Sequence, residues 1–355
     1  MIMDDLQLNV SLLRRRVPNL TVAARNVGLR SATVSDLCNG KIPLGRAEVR
    51  TLVALADLAE CTLDDLVIRG NQAQILETGM KVLDLFAPLL RGGSVGLVAR
   101  QGLGQMVVLS ELIRRLRQRG VATVVWLTAE ADTQMREVVA AEAEATGTTL
   151  DEVSRLVTTL GAERDVLVAA DRATLLSGEL DSLRERLSEP GLQPVTFALV
   201  DASGDSPDDD VPYGPLETLW RFDVDLMARG IFPAVNPVTS ASTLLEGGHL
   251  ESAHLTVQQR ARKLLRRYQE LHALARVRGL EKLPPGELLT YKRGERLEAF
   301  LSQPLYVAEP YTKNPGQWVS VQATIEGVRH ILDGAADELE VKDLMYVGPF
   351  QVSNR

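Results

Sequence analysis

Between Ala99 and Met106 the chain reads A-R-Q-G-L-G-Q-M, a glycine-bearing turn that joins an apolar run over residues 95–99 to a helical pattern starting near Gly104. A strand, a glycine turn and a helix in that order make a phosphate cradle when the turn reads G-x-x-x-x-G-K-[ST]. Backbone N–H groups wrap the phosphates, the lysine places charge on the terminal ones, and the hydroxyl binds magnesium. Here Ala99 stands at the first glycine, Gly102 and Gly104 are kept, Gln105 takes the lysine position and Met106 the hydroxyl position. Two neutral side chains cannot stabilise the charge that moves in phosphoryl transfer, so turnover is not expected. Backbone donors at the helix start near Gly104 still suit an anion. A second conspicuous group, Asp208, Asp209 and Asp210, reads as a solvated loop rather than a metal site.

These residues need a frame, and the pattern of apolar runs supplies one. Runs at 95–99, 122–128, 166–170, 195–201 and 231–235 alternate with helical stretches, which predicts a largely parallel sheet covered by helices on both faces. Amphipathic helices follow after Thr256. A chain of 355 residues with a 45% apolar share has room for two or three domains. No apolar run is long enough to span a bilayer, and the N-terminus lacks the charge and apolar pattern of an export signal, so no membrane partner and a cytoplasmic location are expected. Cys38 and Cys61 read as small buried hydrophobes.

The net charge of −8 excludes indiscriminate coating of nucleic acid, yet residues 14–50 carry eight basic residues against Asp36 and Glu48, a local balance of +6. Leu6, Val10, Leu13 and Val17 share one helical face, and that helix stops near Pro18. Asn19 can cap a second helix that ends at Gly28. Ser31 can cap a third, with Val34 and Leu37 inward and Ala32, Thr33, Ser35 and Asp36 outward. A fourth carries Val49, Leu52, Val53 and Ala56, and Thr62 with Asp65 reads as a capping-box variant before a fifth. The string SATVSDLCNGKIPLGRAEVRTLVALADLAECTLDDL resembles the phage-repressor-like (Xre-type) helix-turn-helix family. That resemblance implies base contacts from Ser31, Ala32, Thr33, Ser35 and Asp36 and phosphate contacts from Asn39 and Lys41. Leu20 departs from the polar contact usual at the start of the second helix.

The segments ILETGMKVLDLFAPLLRGG, GIFPAVNPVTSAS, FLSQPLYVAEPYT and YVGPF make residues 75–350 resemble the catalytic beta subunit of the rotary F-type ATP synthase. The resemblance implies a RecA-like domain followed by a helical domain. It also implies a nucleotide-site remnant: Gly102, Gly104 and Gln105 at the loop, Glu130 at the water-positioning glutamate, Asp201 at the magnesium-associated aspartate, and Phe232 and Tyr311 along the adenine ring. Ala131 replaces the phosphate-binding arginine. The family's N-terminal barrel is absent, and the stretch after Asp201 is much shorter than its counterpart. The expectation is therefore multidomain: an all-α helix-turn-helix domain (1–70), a degenerate α/β RecA-like domain with a mainly parallel sheet (71–250) and a C-terminal α-helical domain (251–355). The function expected is a sequence-specific transcriptional regulator bound to double-stranded DNA as a homo-oligomer. Its body is a pseudo-ATPase, with ATP or ADP as the implied ligand, held without turnover. The alternatives are a DNA-dependent ATPase and a nucleoid scaffold.

Overall fold

The computed structural model describes residues 6–17, 20–38, 41–69, 74–128, 131–187, 192–209, 212–214, 216–246 and 250–350. The chain divides into two compact units, Met1–Gln74 with Thr243–Glu251, and Ile75–Ser242 with Ser252–Arg355.

Among the described residues the first unit holds five α-helices, α1 (Val10–Arg16), α2 (Leu20–Asn26), α3 (Ser31–Cys38), α4 (Val49–Leu58) and α5 (Leu63–Leu66). They enclose a core of Leu13, Ala24, Val34, Leu37, Leu55 and Leu66. Two strands, β1 (Leu6–Leu8) and β2 (Val67–Arg69), pair antiparallel and bring the two ends of the unit together. The single helical face expected from Leu6 to Val17 is therefore divided. Asn9 accepts a hydrogen bond from the Leu12 N–H at 3.1 Å and starts α1 after β1 has ended. Thr62 and Asp65 form a reciprocal capping box at α5. Its hydrogen bonds from the Thr62 hydroxyl and N–H hold the Asp65 carboxyl below the usual carboxylate range. The expected cap at Asn19 lies outside the described residues, and Ser31, expected to cap α3, is instead its first residue, with its hydroxyl accepting from Arg25. Cys38 and Cys61 are half-buried at the edge of this core and are not joined by a disulfide.

The second unit is a sheet with helices. After α6 (Lys81–Phe86) come β3 (Ser94–Val98), α7 (Gln105–Gln118), β4 (Ala122–Trp126) and a π-helical turn, Met135–Val139. The path continues through α8 (Ala140–Glu142), β5 (Ala145–Gly147), α9 (Leu150–Gly161), β6 (Val166–Asp171), α10 (Arg172–Leu176) and α11 (Glu179–Arg186). It ends the sheet with β7 (Val195–Val200), β8 (Thr218–Arg221), α12 (Val224–Ala228) and β9 (Ala241–Ser242). The strand order is β5-β4-β6-β7-β3-β8-β9, parallel except for the β8–β9 pair.

Because side chains alternate across a strand, one run of apolar residues feeds two cores. Val95, Leu97, Val125, Leu167, Ala169, Ala198 and Val200 face the core that α7 and the C-terminal helices cover. Val98, Val124, Trp126, Val166, Val168 and Leu199 face a second core that α9 and α11 cover. The run at 231–235 is not a strand, since Pro233 offers no N–H and the segment makes only an isolated bridge, Phe222 to Val235.

The C-terminal helices are α13 (Ser252–Arg278), α14 (Pro285–Leu301), α15 (Glu309–Thr312) and α16 (Val321–Leu332). Gly294 sits mid-helix in α14 because a Cβ there would strike the Tyr268 ring of α13. No helix among the described residues is long and apolar enough to cross a membrane.

Candidate functional site

The neighbouring parallel strands β3 and β7 deliver their following loops to the same edge of the sheet. After β3, Ala99 is buried at 1% exposure and the chain turns through Arg100–Gly104. Gly102 (φ 83°) and Gly104 (φ 88°) hold the left-handed conformations that let the turn close, and neither is crowded at its Cβ position. Helix α7 then starts with Gln105 and Met106 both buried and with no acidic group in its first turn. The helix start thus offers backbone N–H dipoles and no side-chain cation.

After β7, Asp201 is nearly buried and its carboxylate is fully engaged. Oδ1 accepts from Ser203 N–H (3.1 Å), Ser203 Oγ–H (2.6 Å) and Gly204 N–H (3.2 Å), while Oδ2 accepts from Ser206 N–H. Arg172 Nη1 lies 4.0 Å from Oδ2. Burial alone would raise the Asp201 pKa, but these hydrogen bonds and the Arg172 charge outweigh it and hold the carboxyl below its ordinary value. The resemblance places this residue at a magnesium-associated aspartate, and here its carboxylate caps its own loop.

That loop is tied down at two further points. Asp208 pairs with Arg100 of the glycine turn at 2.8 Å, and Asp209 pairs with Arg172 at the end of β6. Arg172 also donates from Nε to the Pro212 carbonyl and lies over the Tyr213 ring. Tyr213, buried against Gly96, donates its hydroxyl to the Leu97 carbonyl at 2.7 Å, and burial pushes its pKa well up. Asp208 and Asp209 are exposed, as a solvated loop requires, and each is in addition ion-paired to an arginine of the site. Asp210 lies outside the described residues. Arg100 and Arg172 gave no signal in the sequence, because each partner is distant in the chain.

Glu130 lies outside the described residues, and the neighbouring Ala131 donates its N–H to the Thr128 carbonyl at 3.0 Å. Phe232 packs with Leu226, Ile231 and Ala234, while Tyr311 stands 87% exposed on α15.

Farther along α7 lies a polar knot that the sequence did not reveal. Glu111 and Arg115 are each wholly buried and pair at 2.5 Å. Glu111 accepts from Tyr306 and Val307 N–H at 3.0 and 2.9 Å, and Arg115 donates to the carbonyls of Gly79 (2.8 Å) and Gln317 (2.9 Å). Gln303 donates to the same two carbonyls and accepts from Lys81 N–H. Lys81 Nζ donates to the Val347 carbonyl at 2.7 Å and sits 4.2 Å from the Phe300 ring centre; burial pushes its pKa down to about 7. Asp84 accepts from Thr78 N–H, Thr78 Oγ–H and Gly79 N–H, and burial pushes its pKa up to about 7.

In the first unit, Val34 and Leu37 are buried as expected, and Ala32 and Ser35 are exposed. Ser31 Oγ accepts from Arg25 Nε at 2.7 Å, Asp36 pairs with Lys41 at 3.6 Å, and Thr33 lines a groove with Arg30, Arg46 and Arg50. Asn39 lies outside the described residues.

Residues 79–176 match the ATP synthase alpha/beta family, nucleotide-binding domain, and residues 245–339 match the C-terminal domain of V and A type ATP synthase. The fold is similar to that of a unique ATP synthase subunit, NeqB, from Nanoarcheaum equitans. The TM-score is 0.59 at 18% identity, over 73% of this chain and 78% of that one. These matches overturn the transcriptional-regulator reading, with its DNA partner, homo-oligomer and DNA-directed alternatives; what they show instead is a likeness to ATP synthase domains and a fold like that of NeqB. In the first unit Arg16 donates to the carbonyls of Ala59 and Glu60 and Arg25 to the Ser31 hydroxyl, while Lys41 and Arg50 pair with Asp36 and Glu48, so these cations already have partners within the unit. The F-type resemblance is also adjusted, since the C-terminal match is to the V and A type. The chain thus carries one segment similar to the ATP synthase alpha/beta nucleotide-binding domain, followed by one similar to the C-terminal domain of V and A type ATP synthase.

Proposed function

We propose that this chain is a non-catalytic subunit of the ATP synthase class, which works by assembling with other subunits of that class and not by turning over nucleotide itself. The observation that carries the reading is the neutral start of α7, where Gln105 and Met106 are buried in the positions that need a cation and a metal-binding hydroxyl. Without them, the charge of phosphoryl transfer has no partner, a loss of orders of magnitude in rate. The residues present do not fit a magnesium nucleotide: the Asp201 carboxylate is consumed by its own loop, and Arg100 and Arg172 are paired with aspartates.

On this reading the body is a degenerate relative of the catalytic beta type. Gly102, Gly104, Gln105, Glu130, Asp201, Phe232 and Tyr311 mark where the nucleotide site stood. The division into 1–70, 71–250 and 251–355 belongs to the same proposal.

The test mixes the purified chain with the alpha- and beta-type ATP synthase subunits of its own cell and follows native mass and ATP hydrolysis. A complex of fixed stoichiometry, with no turnover by the chain alone, supports the reading. Hydrolysis by the isolated chain that depends on Asp201, or no complex with either subunit, sinks it.

A further inference from the structure

The loop that follows β7 does more than fail to bind a metal. We propose that residues 203–209 are an internal plug, seated on the glycine turn and clasped there by Asp208 on Arg100 and Asp209 on Arg172, which keeps phosphate-bearing ligands from the start of α7. The inference rests on the non-catalytic reading above and adds a regulatory device to it.

Three independent contacts place the plug. Gly204 (φ 79°) packs so closely on the turn that a Cβ there would collide with the Gln101 backbone nitrogen, one of the N–H groups that a bound phosphate would approach. Asp201 holds the root of the loop through Ser203, Gly204 and Ser206. Beyond that root, the two aspartates cross to Arg100 and Arg172.

The chemistry of the clasp is that of the missing ligand. A carboxylate on Arg100, beside the turn, and another on Arg172, next to Asp201, occupy the two nearby cations with the protein's own anions. The Arg172 guanidinium stands against Asp201 where a cation would be expected. The Arg100–Asp208 pair is largely exposed and weak, whereas the Arg172 side chain is only 14% exposed. Opening the plug would release both arginines toward a phosphate group at the same moment that it uncovers the backbone donors.

The experiment measures binding of inorganic pyrophosphate and of ADP to the full chain by calorimetry, with adenosine as a control for base binding. Wild type is compared with Asp208→Asn/Asp209→Asn, which cuts the clasp but leaves both arginines, and with Gly204→Ala, which wedges the loop from the turn. Circular dichroism confirms that each variant is folded. Both variants should bind pyrophosphate about tenfold more tightly than wild type, and adenosine no better. Equal pyrophosphate affinity in wild type and a folded variant overturns the plug, as does a failure of both folded variants to bind it. Should one variant not fold, the other decides. Failure of the non-catalytic reading would show separately, as ATP hydrolysis by the wild-type chain.

Discussion

Helix α7 has two ends with opposite chemistry. At its start, where a nucleotide domain would put charge, Gln105 and Met106 are neutral; two turns on, Glu111 and Arg115 are charged and wholly buried. The buried pair is matched on every side, since Tyr306, Val307, Gly79 and Gln317 supply its backbone partners. The difference separates two uses of charge. Here it is absent where chemistry would need it and present where three stretches of chain must be joined.

The largest expected effect tests the buried half of that contrast. Arg115→Met leaves Glu111 buried without its ion partner, which should cost about 3–5 kcal/mol in denaturant unfolding. Glu111→Gln/Arg115→Met should recover much of the loss; an equal loss in the single and double variants would show that the pair itself is unimportant.

Next in size is a pH dependence. The Lys81 pKa falls from its ordinary value to about 7 on folding, so the unfolded chain binds more protons above pH 7 and stability should rise with pH until the ordinary lysine range. Asp84 is raised from the carboxylate range to about 7, so the folded state binds more protons below that pH and stability should fall as pH climbs toward 7. Together the two groups contribute a trough near neutrality, a few kcal/mol deep. Urea midpoints across pH should lose the alkaline limb in Lys81→Met and the acid limb in Asp84→Asn; unchanged limbs would mean that neither group titrates as described.

Smaller still is the cap. Thr62→Ala removes the acceptor for Asp65 N–H and should lower the stability of the first unit by about 1 kcal/mol, read as faster amide exchange in α5. The smallest effect belongs to the other half of the contrast. Asp208→Asn/Asp209→Asn should change global stability by less than about 1 kcal/mol, since one pair is exposed and the other half-exposed at its aspartate. A loss as large as that of Arg115→Met would erase the distinction between the two ends of α7.

The parallel strands were legible because buried strands are continuous apolar runs, and those at 95–99, 122–128, 166–170 and 195–201 appear within two residues of their expected ends. The run at 231–235 had the same composition but carried Pro233. β5, β8 and β9 are short and carry polar or small residues, so nothing in their composition marks them. The site was legible as far as its glycines and its missing lysine, which sit in one stretch of sequence. The clasp was not, because Asp209 meets an arginine 37 residues away and Asp208 one 108 residues away. The first unit's helices were legible only in part: Val10, Leu13, Val34, Leu37 and the Thr62 cap fall as period and spacing imply, whereas Leu6 lies in β1 and Val27, Val49 and Val53 are exposed.

The seating of Gly204 on Gln101 can also be expressed as a concentration. A segment anchored at Asp201 and again at Arg172 meets the turn as a tethered competitor, whose effective concentration for a short linker is on the order of millimolar. Any dissolved phosphate must contend with that figure before it contends with chemistry. Lengthening the segment with a few glycine and serine residues would dilute the competitor without altering one contact, so loop length alone would set the ligand level at which this site responds.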